Sequence, residues 1–272
     1  MSRRIFANHC HIYPEERRPN GTVDALKAYM EECEIEKAVA FAPFPHVMKD
    51  AGLTCDRNEF LAKQIVNDDR FVGFGTVDFD HEDIADQVKH IASLGFKGIK
   101  VHPAAQEIGV TGEKAFALYE EAVKQSLFLS FHTGLHWHRL MDYHPILFDE
   151  VAWNFPELQF SMEHIGGYHF FRDALAVICN NERHEPHGNV YAGWTSISDS
   201  NPPGKWSLSD EELLTVIRQT GAEYSIFGTD FPFQKPETLK AAIARFESLD
   251  IGEEAKDALF GKNLARVLGV EL

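Results

Sequence analysis

Residues 5–11 read Ile-Phe-Ala-Asn-His-Cys-His, an apolar run that ends in two histidines one residue apart. Successive side chains of a β-strand point to opposite faces, so we expect His9 and His11 to face one side and Cys10 the other. One strand would then offer two imidazoles to a single metal ion. A lone His-x-His pair also occurs by chance on surfaces and in cores, so its meaning depends on the rest of the chain.

Composition limits the classes of function. The chain of 272 residues has a formal net charge of -16 and 44% hydrophobic residues. This charge argues against nucleic-acid and anionic-membrane partners, which require concentrated lysine and arginine. Four widely spaced cysteines without a CxxC pair predict neither a disulfide framework nor a thiolate zinc site. No apolar run reaches the length of a membrane span or a signal-peptide core, so we expect a cytoplasmic protein.

Strand-like and helix-like patterns alternate along the whole chain. The eight predicted strands are residues 5–11, 37–43, 71–77, 96–102, 127–132, 158–164, 189–195 and 224–230. Helical patterns follow them, with capping-box spacings at Asp56/Glu59 and Ser209/Glu212. Such alternation favours a closed (β/α)8 TIM barrel over an open doubly wound sheet, and no GxGxxG or Walker pattern is present. We therefore predict one barrel domain over residues 1–272.

Polar residues gather at the predicted strand ends, where the active site of a barrel lies. His9 and His11 end strand one, and His102, His132, His164 and Asp230 end strands four, five, six and eight. Three neutral imidazoles and a carboxylate with an open position are typical of a catalytic zinc site, although manganese or iron can use the same ligands. Below this rim we expect Ala7, Ser130 and Gly228 as small interior residues, with Phe160 and Met162 as large ones.

Six segments carry a recognisable pattern. They are HCH at 9–11, GIKVHP at 98–103, FHTG at 131–134, EHIGG at 163–167, GTDFP at 228–232 and LFGKNLARVL at 259–268. Together they closely resemble the amidohydrolase superfamily, specifically the amidohydrolase-related family of metal-dependent hydrolases, decarboxylases, lactonases and hydratases. The resemblance spans the chain, and the segments are specific in combination where each alone is not.

This resemblance implies a set of site residues. His9, His11 and His132 would bind one divalent metal ion, zinc first, with Asp230 as a fourth ligand or as the proton acceptor beside the metal. His164 would be the catalytic histidine that faces the substrate. Lys100 matches a strand-four lysine that is carbamylated and bridges two metals in other branches of the superfamily. Because Lys100 lies two residues below the rim, we expect it to support the core or the ligands instead.

Loop residues above the mouth of the barrel are candidates for binding the substrate. Guanidinium groups bind carboxylates in a two-point fork, which makes the loop arginines candidate anchors. The loop over residues 196–205 is expected to lie above the mouth. Each of these side chains could instead be solvated or could anchor its own loop. The candidates for substrate contact are His102, Arg17, Arg18, Arg139 and Trp137, and Phe231, Phe233 and Trp206 could add apolar walls.

The expected substrate is a small organic molecule with a carboxylate or a flat ring. Hydrolysis of an ester, lactone or amide is favoured, because it needs only metal-activated water, a base and an electrophile. Non-oxidative decarboxylation of a small aromatic or unsaturated carboxylate would use the same ligands and is the alternative. An inactive barrel that acts as a binding protein is a remote third hypothesis. A homodimer is the oligomer expected from general frequencies.

Overall fold

The computed structural model describes residues 3–181, 189–198 and 206–272. Eight parallel strands close into a barrel in sequence order, each hydrogen-bonded to its neighbours along the chain and β1 also to β8. This confirms the predicted (β/α)8 fold. The strands are β1 (Phe6–His11), β2 (Lys37–Phe41), β3 (Phe71–Gly75), β4 (Gly98–Val101), β5 (Phe128–His132), β6 (Phe160–Glu163), β7 (Val190–Trp194) and β8 (Ser225–Phe231).

Helices surround the barrel and connect the strands. Among the described residues, none of them is both long and apolar enough to cross a membrane. Those before β6 are α1 (Val23–Glu32), α2 (Pro45–Asp50), α3 (Arg57–Ile65), α4 (Ile84–Ser93), α5 (Pro103–Gln106), α6 (Glu113–Lys124), α7 (Leu140–Tyr143) and α8 (Leu147–Asn154). Those after β6 are α9 (Gly167–Asn181), α10 (Asp210–Thr220), α11 (Pro236–Ser248), α12 (Glu253–Asp257) and α13 (Asn263–Leu268).

Local signals set several helix starts. Ser209 and Glu212 form the predicted capping box at α10. Asp56 caps α3 by accepting hydrogen bonds from the backbone amides of Asn58 and Glu59, both at 2.8 Å. The side chain of Glu59 bonds to Lys63 at 3.0 Å. The short helices α2, α5 and α7 lie in segments for which the sequence analysis predicted no helix, because four to six residues are too few to show a helical period.

Two apolar clusters fill the molecule. The larger one lies between the strands and the surrounding helices, and it contains Ala7, Phe160 and Met162. The expectation that these three residues point into the barrel is therefore wrong. The smaller cluster fills the inside of the barrel and extends onto α13. We call its strand residues the lower layer, and they are Phe6, Val39, Phe41, Val72, Phe74, Phe128, Tyr191 and Ile226.

Candidate active site and metal centre

A bulge in β1 shapes the site. Ala7 pairs with Ala38 of β2 and Cys10 with Ala40, so β1 has one extra residue between these pairs, next to His9, whose φ is 71°. The extra residue lets Asn8 and His9 both point inward, whereas regular alternation would separate them. Cys10 points outward, with its sulfur 3.2 Å from the hydroxyl of Thr229. His9 and His11 do share a side, as predicted, but through a bulge that the sequence pattern did not indicate.

His9, His11 and Asp230 form a compact group of buried side chains. Each contributes one potential ligand atom, and these atoms lie within 4.8 Å of one another. Oδ1 of Asp230 lies 3.6 Å from Nε2 of His9 and 4.0 Å from Nε2 of His11. Ligand atoms about 2.1 Å from a tetrahedral ion would be separated by about 3.4 Å, close to these distances. The donor set therefore fits a divalent metal.

Burial prepares the two imidazoles for this role. It lowers the pKa of His9 and of His11 well below the usual value, and the neighbouring charges of Lys100 and other histidines add to the effect. The neutral form is the one with a lone pair for a metal. Asp230, whose φ is 59°, accepts a hydrogen bond at Oδ2 from Ser196 at 2.7 Å. Its other oxygen is the one that faces the histidines.

His132 and His164 form a second group beside the first. Carbonyl oxygens only accept hydrogen bonds, so His164 donates through Nδ1 to Thr195 at 2.8 Å and His132 through Nε2 to Gly134 at 2.9 Å. The remaining nitrogens face each other at 3.1 Å, and a hydrogen bond between them requires one additional proton. Burial lowers the pKa of both rings, to about 3 for His164. Such a proton would be released readily.

His132 lies outside the compact group of three. Both of its ring nitrogens have hydrogen-bond partners, so it would have to exchange one of them to bind a metal. The ring of His102 stacks on it with a centroid distance of 3.9 Å and an interplanar angle of 8°. His102 itself caps α5, because its Nδ1 accepts from the backbone amide of Ala105 at 3.2 Å. The ligand role of His132 and the substrate role of His102 remain predictions.

Glu163 is a site residue that the sequence analysis missed. Its carboxylate is fully buried, with Oε2 at 3.1 Å from Nδ1 of His9. The reason for the miss is the conformation of the next residue. His164 has a φ of 67°, which turns it inward immediately after the inward-facing Glu163. Counting alternate residues back from His164 therefore assigned the wrong face to β6, which also explains the misplacement of Phe160 and Met162.

Lys100 lies beneath the metal-binding group. Its Nζ is 3.4 Å from Nε2 of His9 and 5.3 Å from the ring centroid of Phe41. Burial lowers its pKa to about 7, while the negative charges of Glu163 and Asp230 act in the opposite direction. These contacts agree with a supporting role. We call the polar residues at this height the polar layer, and they are Asn8, Lys100, Ser130, Ser161 and Glu163.

The predicted substrate residues fall into two groups. Arg17 lies 3.6 Å from Asp50, Arg139 lies 3.8 Å from Asp142, and Trp137 is 82% exposed. Arg18 instead lies over the ring of Phe233, with its guanidinium carbon 4.5 Å from the ring centroid. Phe233 in turn contacts the ring of His11 at 5.7 Å. The structure thus brings Arg18 to the mouth, next to the metal-binding group.

Trp206 covers the other side of the mouth. Its ring lies 4.2 Å from that of His164 and 5.4 Å from that of His132. A Cβ atom at Gly134 or Gly167 would come within 2.7 Å or 2.5 Å of the indole, so two motif glycines leave room for it. Of the predicted loop over residues 196–205, positions 199–205 lie outside the described residues. Phe231 packs outward against Tyr29 and does not line the mouth.

Solved structures of similar fold cover nearly the whole chain. The 5-carboxyvanillate decarboxylase from Sphingomonas paucimobilis has a TM-score of 0.71 at 15% identity, over 99% of this chain and 100% of that one. A candidate 2-pyrone-4,6-dicarboxylic acid hydrolase from Pseudomonas putida has a TM-score of 0.69 at 18% identity, over 100% of both chains. A dihydroxybenzoic acid decarboxylase from Polaromonas, with bound manganese, has a TM-score of 0.69 at 15% identity, over 98% of this chain and 97% of that one.

The comparisons differ in what they establish. Structural likeness at such low identity supports the fold alone. A search of curated proteins finds no match. The family model described as amidohydrolase matches residues 9–270, which include the bulged strand with His9 and His11, the pair of His132 and His164, and Asp230. The chain therefore belongs to the amidohydrolase family.

Proposed function

We propose that the protein is a metal-dependent hydrolase of a small ester, lactone or amide that carries a carboxylate. The observation that carries this proposal is the position of Asp230. One of its oxygens is held by the hydroxyl of Ser196, and the other faces Nε2 of His9 and of His11 at 3.6 and 4.0 Å. A carboxylate within the metal-binding group can also accept the proton of a metal-activated water, and hydrolysis by activated water requires such a base.

His9, His11 and Asp230 would hold the ion, with His132 as the proposed further ligand. When bound, the metal supplies a Lewis acid that lowers the pKa of water toward about 7. Zinc is the proposed metal, and manganese or iron would suit the same donors. Asp230 then accepts the proton of the attacking water through Oδ1. The hydrogen bond from Ser196 keeps the carboxylate in this orientation.

His164 is proposed to exchange a proton with the substrate. Its Nδ1 is fixed by the carbonyl of Thr195, which leaves Nε2 for proton transfer. The ring lies across from His9, with a centroid distance of 5.2 Å, so both rings border the same space. Burial lowers the pKa of His164 and keeps this ring neutral, so Nε2 can accept the proton that Asp230 has taken from the water and pass it to the leaving group.

Arg18 and Trp206 are proposed to bind the substrate. Among the described residues, no carboxylate forms an ion pair with Arg18, although the chain has a net charge of -16. A guanidinium at the mouth without an acidic partner suits a substrate carboxylate. Trp206 offers an aromatic face beside His164, on which a flat ring could stack. Of the three candidate arginines from the sequence, Arg17, Arg18 and Arg139, we propose Arg18 for this role.

Decarboxylation is the second candidate, and Arg18 is the observation that favours it. A decarboxylase has to orient the carboxylate that departs as carbon dioxide, and the sequence alone offered no arginine placed to do so. Solved structures of similar fold include decarboxylases of substituted benzoates. In that reaction His164 or Asp230 would protonate the carbon that loses carbon dioxide.

A paired screen separates the two reactions. Lactones, esters and amides with a carboxylate are incubated with the metal-loaded protein, in parallel with hydroxybenzoates and unsaturated dicarboxylates. We expect acid release from the first set and no carbon dioxide from the second, with loss of turnover in His164→Asn. Metal-dependent carbon dioxide release confined to the second set would replace hydrolysis with decarboxylation. No turnover of either set, with metal bound, would contradict both.

A further inference from the structure

The carboxylate of Glu163 occupies the centre of the polar layer. Oε1 accepts hydrogen bonds from the amide of Asn8 at 2.8 Å and from the hydroxyl of Ser130 at 3.3 Å, and also from the hydroxyl of Ser161. Oε2 accepts from the hydroxyl of Thr195 at 2.6 Å. Donors from β1, β5, β6 and the end of β7 therefore fix this side chain in one place. Burying a carboxylate costs free energy, so we infer that this network has a functional role.

Two glycines, Gly193 and Gly228, leave space for the side chains of Glu163 and Thr195. A Cβ atom at Gly193 would lie 2.6 Å from the carboxyl carbon of Glu163 and 2.7 Å from Oε2. A Cβ atom at Gly228 would lie 2.0 Å from the hydroxyl oxygen of Thr195 and 3.2 Å from Cβ of His9. A side chain at Gly193 would therefore collide with the carboxylate, and one at Gly228 would collide with Thr195, which donates a hydrogen bond to it.

The carboxylate of Glu163 contacts the ring of His9. Nδ1 of His9 is fully buried and forms no hydrogen bond with any of the described residues, and Oε2 of Glu163 lies 3.1 Å from it. If the ring turned so that its N–H pointed at this oxygen, Nδ1 would donate a hydrogen bond to Glu163. With the proton on Nδ1, the lone pair is on Nε2, and Nε2 is the atom that faces Asp230 at 3.6 Å. Carboxylates in this position fix the tautomer and orientation of metal-binding histidines.

We propose that Glu163 is a positioning residue that holds His9 with Nε2 as its metal-binding atom. It acts through His9 and has no contact with the substrate. The inference rests on the metal-binding group and not on the reaction. Hydrolysis and decarboxylation could both be wrong while this role of Glu163 stands. Metal affinity, and not turnover, is therefore the measurement that tests it.

The test compares zinc affinities by competition with a chromogenic chelator. Removal of such a carboxylate typically weakens metal binding by about 10- to 100-fold, and we expect this loss for Glu163→Gln. Glu121→Gln is the matched control, because Glu121 is also buried but bonds to Gln125 and Lys124 on the outer helix α6. Its affinity should not change. Thr195→Val, which removes one hydrogen bond to Glu163, should give an intermediate loss.

Nitrogen NMR of the imidazoles gives a second readout that a general loss of structure would not mimic. In the zinc-loaded protein, we expect His9 with its proton on Nδ1 and zinc on Nε2. An affinity of Glu163→Gln within twofold of the parent would overturn the proposal, as would zinc on Nδ1 of His9. If Glu163→Gln does not fold, Thr195→Val and the NMR spectrum of the parent protein decide. An unchanged affinity in Thr195→Val would then count against the proposal.

Discussion

The lower layer and the polar layer lie inside the same barrel, and β1 and β5 contribute to both, yet the two layers have opposite characters. The lower layer is apolar, and each of its buried aromatic side chains stabilises the fold by about 1.5–3 kcal/mol. Above it, β1, β4 and β6 bring together Asn8, Lys100 and Glu163, which are costly to bury. The lower layer thus contributes mainly to the stability of the fold, and the polar layer mainly supports the residues of the active site.

Backbone conformation separates the rim of the barrel from both layers. His9, His164 and Asp230, which lie at the rim, all have a positive φ, which costs a non-glycine residue free energy. No residue of the lower layer or the polar layer has one. Strained conformations at the rim aim side chains where regular strands cannot. Substitutions should therefore separate function from stability according to the layer that they change.

The largest effect is expected for His9→Ala. The compact group would lose one of its three members, so the protein should lose its metal and with it all turnover, while it remains folded. Elemental analysis of the protein after dialysis with zinc measures the occupancy, for which we expect about one ion per parent chain and nearly none in the variant. Full occupancy in the variant would remove His9 from the site.

His132→Ala in the same assay tests the proposed further ligand. A loss as large as that of His9→Ala would establish His132 as a ligand. Retained metal with lost turnover would place it with His164 instead.

His164→Asn should lower kcat by about 10²- to 10⁴-fold, which is the usual contribution of a group that transfers a proton. Metal occupancy should stay at the level of the parent protein, because His164 is bonded to Thr195 and His132 and lies outside the compact group. Kinetics and elemental analysis on the same preparation provide the measurement. Metal loss equal to that of His9→Ala would mean that His164 is itself a ligand.

Phe74→Ala is the corresponding change in the lower layer. Phe74 is fully buried, between the rings of Phe41 at 5.7 Å and Phe128 at 6.1 Å. Its truncation should lower the free energy of unfolding by about 3–5 kcal/mol. Urea unfolding measures this loss, and the zinc affinity of the folded protein should change little. A large loss of affinity without a loss of stability would contradict the division between the layers.

Arg18→Gln should raise KM for a carboxylate substrate about tenfold, because one charge-assisted contact is worth about 1.5–3 kcal/mol at most. The KM for an analogue of the same substrate without the carboxylate should not change. Arg17→Gln is the matched control from the adjacent position, since its side chain lies toward Asp50. Equal effects of the two substitutions would mean that general surface charge, and not a specific contact, attracts the substrate.

The smallest effect concerns the pH dependence of stability of the metal-free protein. Burial lowers the pKa of His164 to about 3 in the folded state, against about 6.5 when unfolded. The unfolded state thus takes up protons below pH 6.5 that the folded state does not, and stability should fall as the pH falls. Each such imidazole costs about 1.4 kcal/mol at pH 5.5. Urea unfolding at pH 7.5, 6.5 and 5.5 measures the slope, which should decrease in His164→Asn and stay the same in Phe74→Ala.

The sequence by itself determined the alternation of strands and helices, and with it the barrel and the strand ends that carry His9, His11, His132, His164 and Asp230. These features are local, because a hydrophobic period and a cap depend on residues a few positions apart. It also predicted that Lys100 would support the core or the ligands, since Lys100 lies two positions before the rim residue His102 on a regular strand.

Only the tertiary structure decided which residues meet. The bulge at His9 and the positive φ of His164 change the faces of their strands, and no local pattern signals either change. Glu163 could have been found from the acid that precedes a motif histidine, but three of its four donors, Asn8, Ser130 and Thr195, lie more than 30 positions away in the chain. Arg18 was selected over Arg17 and Arg139 by its ring contact with Phe233, more than 200 positions away. Such contacts depend on how loops and strands pack, because side-chain direction follows from backbone geometry that distant residues impose.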